Sequence, residues 1–168
     1  MTVLPFLIAS VGAGTMSLIM RSQRGWSTLI AVAGLVTMIV LAAAMGPSAA
    51  VRIGGMNLVT SEWLRLYALL GSVVGLLLVA VDAAAVHEPD VPGVVVIGLG
   101  AAILALALPD PGSAVLAATA GGLAGVLVAA PVGAAARAAF VGVRELRALA
   151  VAGALAIVAT AWLARPLG

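Results

Sequence analysis

Leu64-Arg65-Leu66-Tyr67-Ala68-Leu69-Leu70-Gly71-Ser72-Val73-Val74-Gly75-Leu76-Leu77-Leu78-Val79-Ala80-Val81-Asp82 decides the fold class of this 168-residue chain. From Leu66 to Val81 no residue is charged. A hydrocarbon core about 30 Å thick takes about 20 helical residues to cross, and 64–82 has nearly that length. Working outward, the same reading predicts further spans at 3–20, 26–46, 93–108, 113–131 and 148–164. Six such spans take about 120 residues, which leaves no room for a soluble domain. The composition agrees: 64% of the residues are hydrophobic and 8% charged, against roughly 45–50% and about 25% in an ordinary soluble domain. The expected class is therefore all-α, a polytopic transmembrane helix bundle of about six spans forming one domain over 1–168. Span 93–108 is the short one. Its residues rise only about 24 Å, so it needs local thinning or help from Val91 and Pro92, or else forms a re-entrant hairpin with 113–131.

The charge pattern sets an orientation. The formal charge is +2 and the sequence pI about 10.5, but the basic residues are all arginine and lie scattered between apolar runs, a topology signal and not a nucleic-acid footprint. No basic residue precedes span 3–20, whereas a secretory signal needs a positive n-region. With the N-terminus outside, Arg21, Arg24, Arg137, Arg144 and Arg147 fall inside and Arg52, Arg65 and Arg165 outside. That imbalance predicts an N-out, C-out arrangement.

The connections carry turn chemistry. In Pro109-Asp110-Pro111-Gly112 two prolines remove backbone donors and restrict the residues before them, which predicts a tight turn between the fourth and fifth spans. His87-Glu88-Pro89-Asp90-Val91-Pro92 breaks the chain between the third and fourth. The loop 47–62 contains Gly54-Gly55 between alternating residues and predicts a short β-hairpin over the membrane surface. Gly71 with Gly75 and Gly121 with Gly125 have the spacing that lets helices approach closely, either inside the bundle or at a homodimer face.

Candidate chemistry is sparse. The chain has no cysteine and one histidine, which excludes thiolate metal sites, iron–sulfur ligation and a cysteine nucleophile and disfavours a histidine-built site. No nucleophile and base can be assembled, so no catalytic residue, metal or cofactor is expected. An ionisable group within a span is costly and so points to function; here such groups sit only at the ends of 64–82. Glu62 and Arg65 have the spacing of an ion pair, with Trp63 and Tyr67 as interfacial aromatics. Asp82 is the remaining ion-path candidate, against its reading as a solvated helix-end carboxylate. Arg144, Glu145 and Arg147 form a charged stripe that contacts acidic headgroups or docks a partner subunit. Hydroxyls inside spans, Ser10, Thr15, Ser17, Thr37, Ser72, Thr119 and Thr160, have no base near them in sequence.

The stretch Val51 to Val81 resembles the second-to-third helix region of the antiporter-like membrane subunits shared by complex I, Mrp antiporters and membrane-bound hydrogenases. There a polar loop with β character leads to an acidic residue, an Arg-Leu-aromatic step, and a leucine- and glycine-rich helix. Arg65-Leu66-Tyr67 matches that step, and the family's usual aspartate falls on Ser61. The resemblance implies the plasma membrane of a prokaryote and other membrane subunits of a hetero-oligomeric complex as partners, besides the lipid bilayer. The departures are substantial: the family carries protons on a glutamate in the fifth helix and on later lysines, whereas 113–131 has no acid and the chain no lysine. The family's proteins also have about fourteen helices, so this chain would match the N-terminal six, as a truncated, split or degenerate member. The expected function is an accessory, non-catalytic membrane subunit of a respiratory or ion-translocating complex, not itself an enzyme. The alternative is a small stand-alone homo-oligomeric transporter or channel.

Overall fold

In the computed structural model the described residues are 1–84, 91–129, 147–148, 150–156 and 158–159. They are mostly helical: α1 (Leu4–Ile19), a 3-10 turn (Met20–Ser22), α2 (Arg24–Ala43), β1 (Ala50–Ile53), β2 (Met56–Val59), α3 (Glu62–Ala84), α4 (Val91–Ala107) and α5 (Pro111–Ala129). Residues 147–148, 150–156 and 158–159 are also helical. Leu4–Ser22, Arg24–Ala43 and Glu62–Ala83 are each long and apolar enough to cross a membrane.

The helix bounds follow from local chemistry. Pro5 sits in the first turn of α1, where its missing donor is harmless. Ser61 stops the loop and starts α3: its Oγ accepts the Leu64 N–H at 3.1 Å and its carbonyl the Arg65 N–H at 3.0 Å. Asp110 does the same for α5, accepting the Ser113 N–H on Oδ2 at 2.7 Å, with Pro111 as the first helical residue. This is the turn that Pro109–Gly112 predicts, formed through an aspartate cap. The predicted hairpin is present too, antiparallel, with Val51 opposite Leu58 and Arg52 opposite Asn57. Gly54 and Gly55 turn it with φ of 55° and 88°, a pair of left-handed residues that glycine adopts without steric penalty.

α4 runs antiparallel to α1 and α3, as α2 does to α1, and α1 to α4 form a bundle with α5 laid on α4. The shortest-looking span is its centre: α4 packs against α1, α2, α3 and α5. Small residues make that possible. A Cβ added at Gly14 or Gly93 would overlap Ile97 or Leu18, and one at Gly100 would land on the Ser10 hydroxyl. Gly71 lies against Leu99, and Gly75 against Leu35 and Val95, so this glycine pair serves packing within the bundle. Gly121 meets Ala101, while Gly125 has open space.

The surface is as apolar as the interior, and the interior admits a few hydroxyls. Val3, Phe6, Leu35, Met38, Val79, Val96 and Ile103 form the core, but Ser10, Ser17, Ser27 and Ser72 are buried with them. Outside, Ile8, Val11, Leu29, Val40, Leu66, Leu70, Leu77 and Val81 are each more than half exposed. A surface of that kind is far more apolar than a protein in water tolerates.

Candidate functional site

The buried hydroxyls come first, because they are the polar groups of the interior. Ser17 Oγ donates to the Ser27 carbonyl at 3.0 Å and Ser27 Oγ to the Ser17 carbonyl at 2.9 Å, with the two oxygens 2.9 Å apart. This reciprocal pair clamps the end of α1 to the start of α2. Ser10 Oγ donates to the Val96 carbonyl at 2.7 Å and ties α1 to α4. Ser72, Thr15, Thr37 and Thr119 instead donate to carbonyls of their own helices, at Ala68, Val11, Ala33 and Val115. No buried side-chain polar atom among the described residues lacks a partner. Among the described residues the hydroxyls of Ser10, Ser17 and Ser27 tie helices together, and none of the buried ones is left without a partner.

Glu62, Arg65 and Asp82 lie at opposite ends of α3. Glu62 is exposed and Arg65 half-buried in the first turn, beside exposed Trp63 and Tyr67. Glu62 and Arg65 do not form the ion pair their spacing allows, and no ion pair forms among the described residues; at an aqueous end such a pair gains little over its side-chain entropy. Glu62 is nonetheless well placed, because a negative charge in the first turn complements the helix dipole. Asp82 is half-buried near the other end of α3, where no basic residue accompanies it. A carboxylate there opposes the dipole. It therefore stands as a local cost that the fold does not explain.

Arg144 and Glu145 lie outside the described residues, as do His87, Glu88, Arg137, Thr160 and Arg165. Arg147 is exposed on its helical segment. Among the described residues no three His, Asp or Glu side chains come together to hold a metal ion.

Two functional hydrogen-bonding positions escape a reading for chemistry but have a signal. Ser61 and Asp110 are caps, announced by Ser or Asp just before an apolar helical run, with Pro following Asp110. Asp110 is held below the usual carboxylate range chiefly by the Ser113 backbone N–H and also by the Ser113 side chain. The Ser17–Ser27 and Ser10–Val96 ties have no such signal, because which carbonyl a hydroxyl meets depends on the register between helices.

Compared with protein families, with curated proteins and with solved structures, the chain matches none of them.

Proposed function

We propose that this chain is an integral, multi-pass membrane protein of the plasma membrane of a prokaryote, with about six spans and an N-out, C-out orientation. Its role is that of an accessory, non-catalytic subunit of a respiratory or ion-translocating complex, of the kind its Arg65-Leu66-Tyr67 region resembles. The observation that carries this reading is an apolar interior whose few polar groups are hydroxyls already bonded. Buried polarity among the described residues consists of serine and threonine hydroxyls bonded to carbonyls or to each other, with no buried ionisable group, while the outer surface is apolar. An ion path needs side chains that change charge or coordinate in the low-dielectric interior; a subunit that only packs needs none.

The stand-alone transporter draws no support from the hydroxyls it would use. Ser72 and Thr119, the natural lining groups, are each bonded to their own helix. Solubilisation of native membranes in mild detergent tests the proposal: co-elution of the tagged chain with other membrane subunits is expected, and elution as a lone stable monomer would contradict it.

A further inference from the structure

The β-hairpin has an apolar side that the bundle covers only in part. Directly paired residues of an antiparallel ladder share a side, so Val51, Leu58, Ile53 and Met56 lie on one side and Ala50, Val59, Arg52 and Asn57 on the other. On the first side Leu58 is 3% exposed, with β2 lying on α4, and Val51 packs against the core. The next pair on that side, Ile53 with Met56, is exposed at 38% and 52%. It lies about 7 Å farther along the strands. Beyond it, a Cβ added at Gly54 or Gly55 would meet no atom within 4 Å among the described residues, so the tip extends past the bundle. Apolar side chains left exposed at a protruding turn mark a surface that something else covers.

The hairpin's depth and its two sides indicate what covers it. Thr60 bonds through its N–H and Oγ1 to the Ala49 carbonyl, which closes the ladder two residues before α3 starts at Glu62. The first turns of α3 expose Trp63 and Tyr67, aromatic residues with a polar atom of the kind that settles between headgroups and acyl chains. The ladder therefore starts at headgroup depth. Ile53 and Met56 face as Leu58 does, toward the bundle and the hydrocarbon its helices cross. Arg52 and Asn57, both exposed at the same tip, face the other way. Arg52 is also the only charged residue between Gly46 and Ser61, and arginine near a membrane surface is attracted to anionic headgroups.

We propose that the hairpin tip is a membrane-inserting element, with Ile53 and Met56 in the headgroup–acyl boundary of the leaflet on this side and Arg52 and Asn57 among the phosphates above them. Insertion removes the two exposed apolar side chains from water. The arginine stays where its charge is solvated, and the glycine turn keeps the tip free of bulk.

The inference rests on the reading of this chain as a membrane protein, and one experiment separates the two. The chain has no cysteine, so a nitroxide on a single introduced cysteine reports one position. The full chain carrying Arg52→Cys, Ile53→Cys, Met56→Cys, Asn57→Cys or Leu70→Cys is placed in nanodiscs of phosphatidylglycerol and phosphatidylethanolamine. Collision of the label with oxygen, which dissolves in lipid, is compared with collision with a water-soluble nickel chelate. The oxygen-to-nickel ratio is expected to be severalfold higher for the Ile53 and Met56 variants than for the Arg52 and Asn57 variants. It is expected to be highest for Leu70, which is exposed near the middle of α3. A high ratio at Leu70 with equally low ratios at all four hairpin positions would overturn insertion of the tip and leave the membrane reading standing. A low ratio at Leu70 would overturn both. Labels at Ile53 and Met56 shielded from both reagents would also overturn insertion, since they mark a second copy or another subunit as the occupant.

Discussion

The two ends of the bundle are built by different rules. At the hairpin end the backbone is tied down, and Glu62 and Asp110 lie at helix starts where a negative charge suits the dipole, with Arg65 in the first turn of α3 as the exception. The N-terminal amine donates to the Ala44 carbonyl at 3.2 Å, the Gly46 N–H donates to the Met1 carbonyl at 2.9 Å, and Thr60 closes the hairpin through its N–H and Oγ1 on the Ala49 carbonyl at 2.9 and 2.5 Å. Ser61 and Asp110 cap α3 and α5, and Glu62 lies in the first turn of α3. At the arginine end α2 starts at Arg24 without a side-chain cap, and α3 carries Asp82 near its end. Both charges oppose their helix dipoles. One end is held by caps and turn bonds; the other carries Arg24 and Asp82, whose charges oppose their helix dipoles.

That contrast can be broken or sharpened. The largest effect falls on what joins the two ends, the contact between α1 and α4. Gly100→Leu drives a side chain into Ser10 and breaks its bond to Val96, so a loss of about 3 kcal/mol or more is expected in thermal unfolding in detergent. Next come the caps: Ser61→Ala should destabilise by about 1 kcal/mol, and Asp110→Ala should destabilise in the same direction, with both losses at the hairpin end. Asp110 adds a pH signature. Its folded pKa is depressed, so the stabilisation is complete above the unfolded value of about 3.9 and lost as pH falls through the lower folded value. Asp110→Asn keeps a capping oxygen and should abolish that dependence, as read from melting temperature against pH.

The smallest effects have the opposite sign. Arg24→Gln and Asp82→Asn should each stabilise the chain in neutral detergent by about 0.3–1 kcal/mol, because each removes a charge that opposes a dipole. A loss of stability for both variants in neutral detergent would end the contrast between the two ends.

Much of the fold is legible in the sequence because lipid-scale helices need long apolar runs and prolines, glycines and caps mark their ends. Span 64–82 and α3 differ by two residues at each end, because Ser61 sets the start. The hairpin is announced by Gly54-Gly55 and the turn between α4 and α5 by Pro109–Gly112. What stays hidden is arrangement. Span 93–108 reads as the weak one for its length, yet α4 is the centre of the bundle; a helix surrounded by protein answers to its neighbours' shapes and not to the bilayer's thickness. Its sequence is apolar on every side, so no periodicity tells which face meets which helix. The same holds for Ser17 and Ser27, whose pairing depends on how α1 and α2 are set against each other. Of the candidate site residues, Glu62 and Arg65 lie together as their spacing requires but unpaired, because neither is buried enough to need the other. Asp82 stands alone, without a described partner that would turn a carboxylate into a path.

The role proposed for this chain is to help hold an ion-translocating assembly together, not to drive it. The most direct measurement is ion flux through the purified chain reconstituted alone into vesicles carrying an internal pH-sensitive dye, under an imposed proton or sodium gradient. Flux equal to that of protein-free vesicles is the predicted result. Flux above that level, abolished by Asp82→Asn, would contradict it.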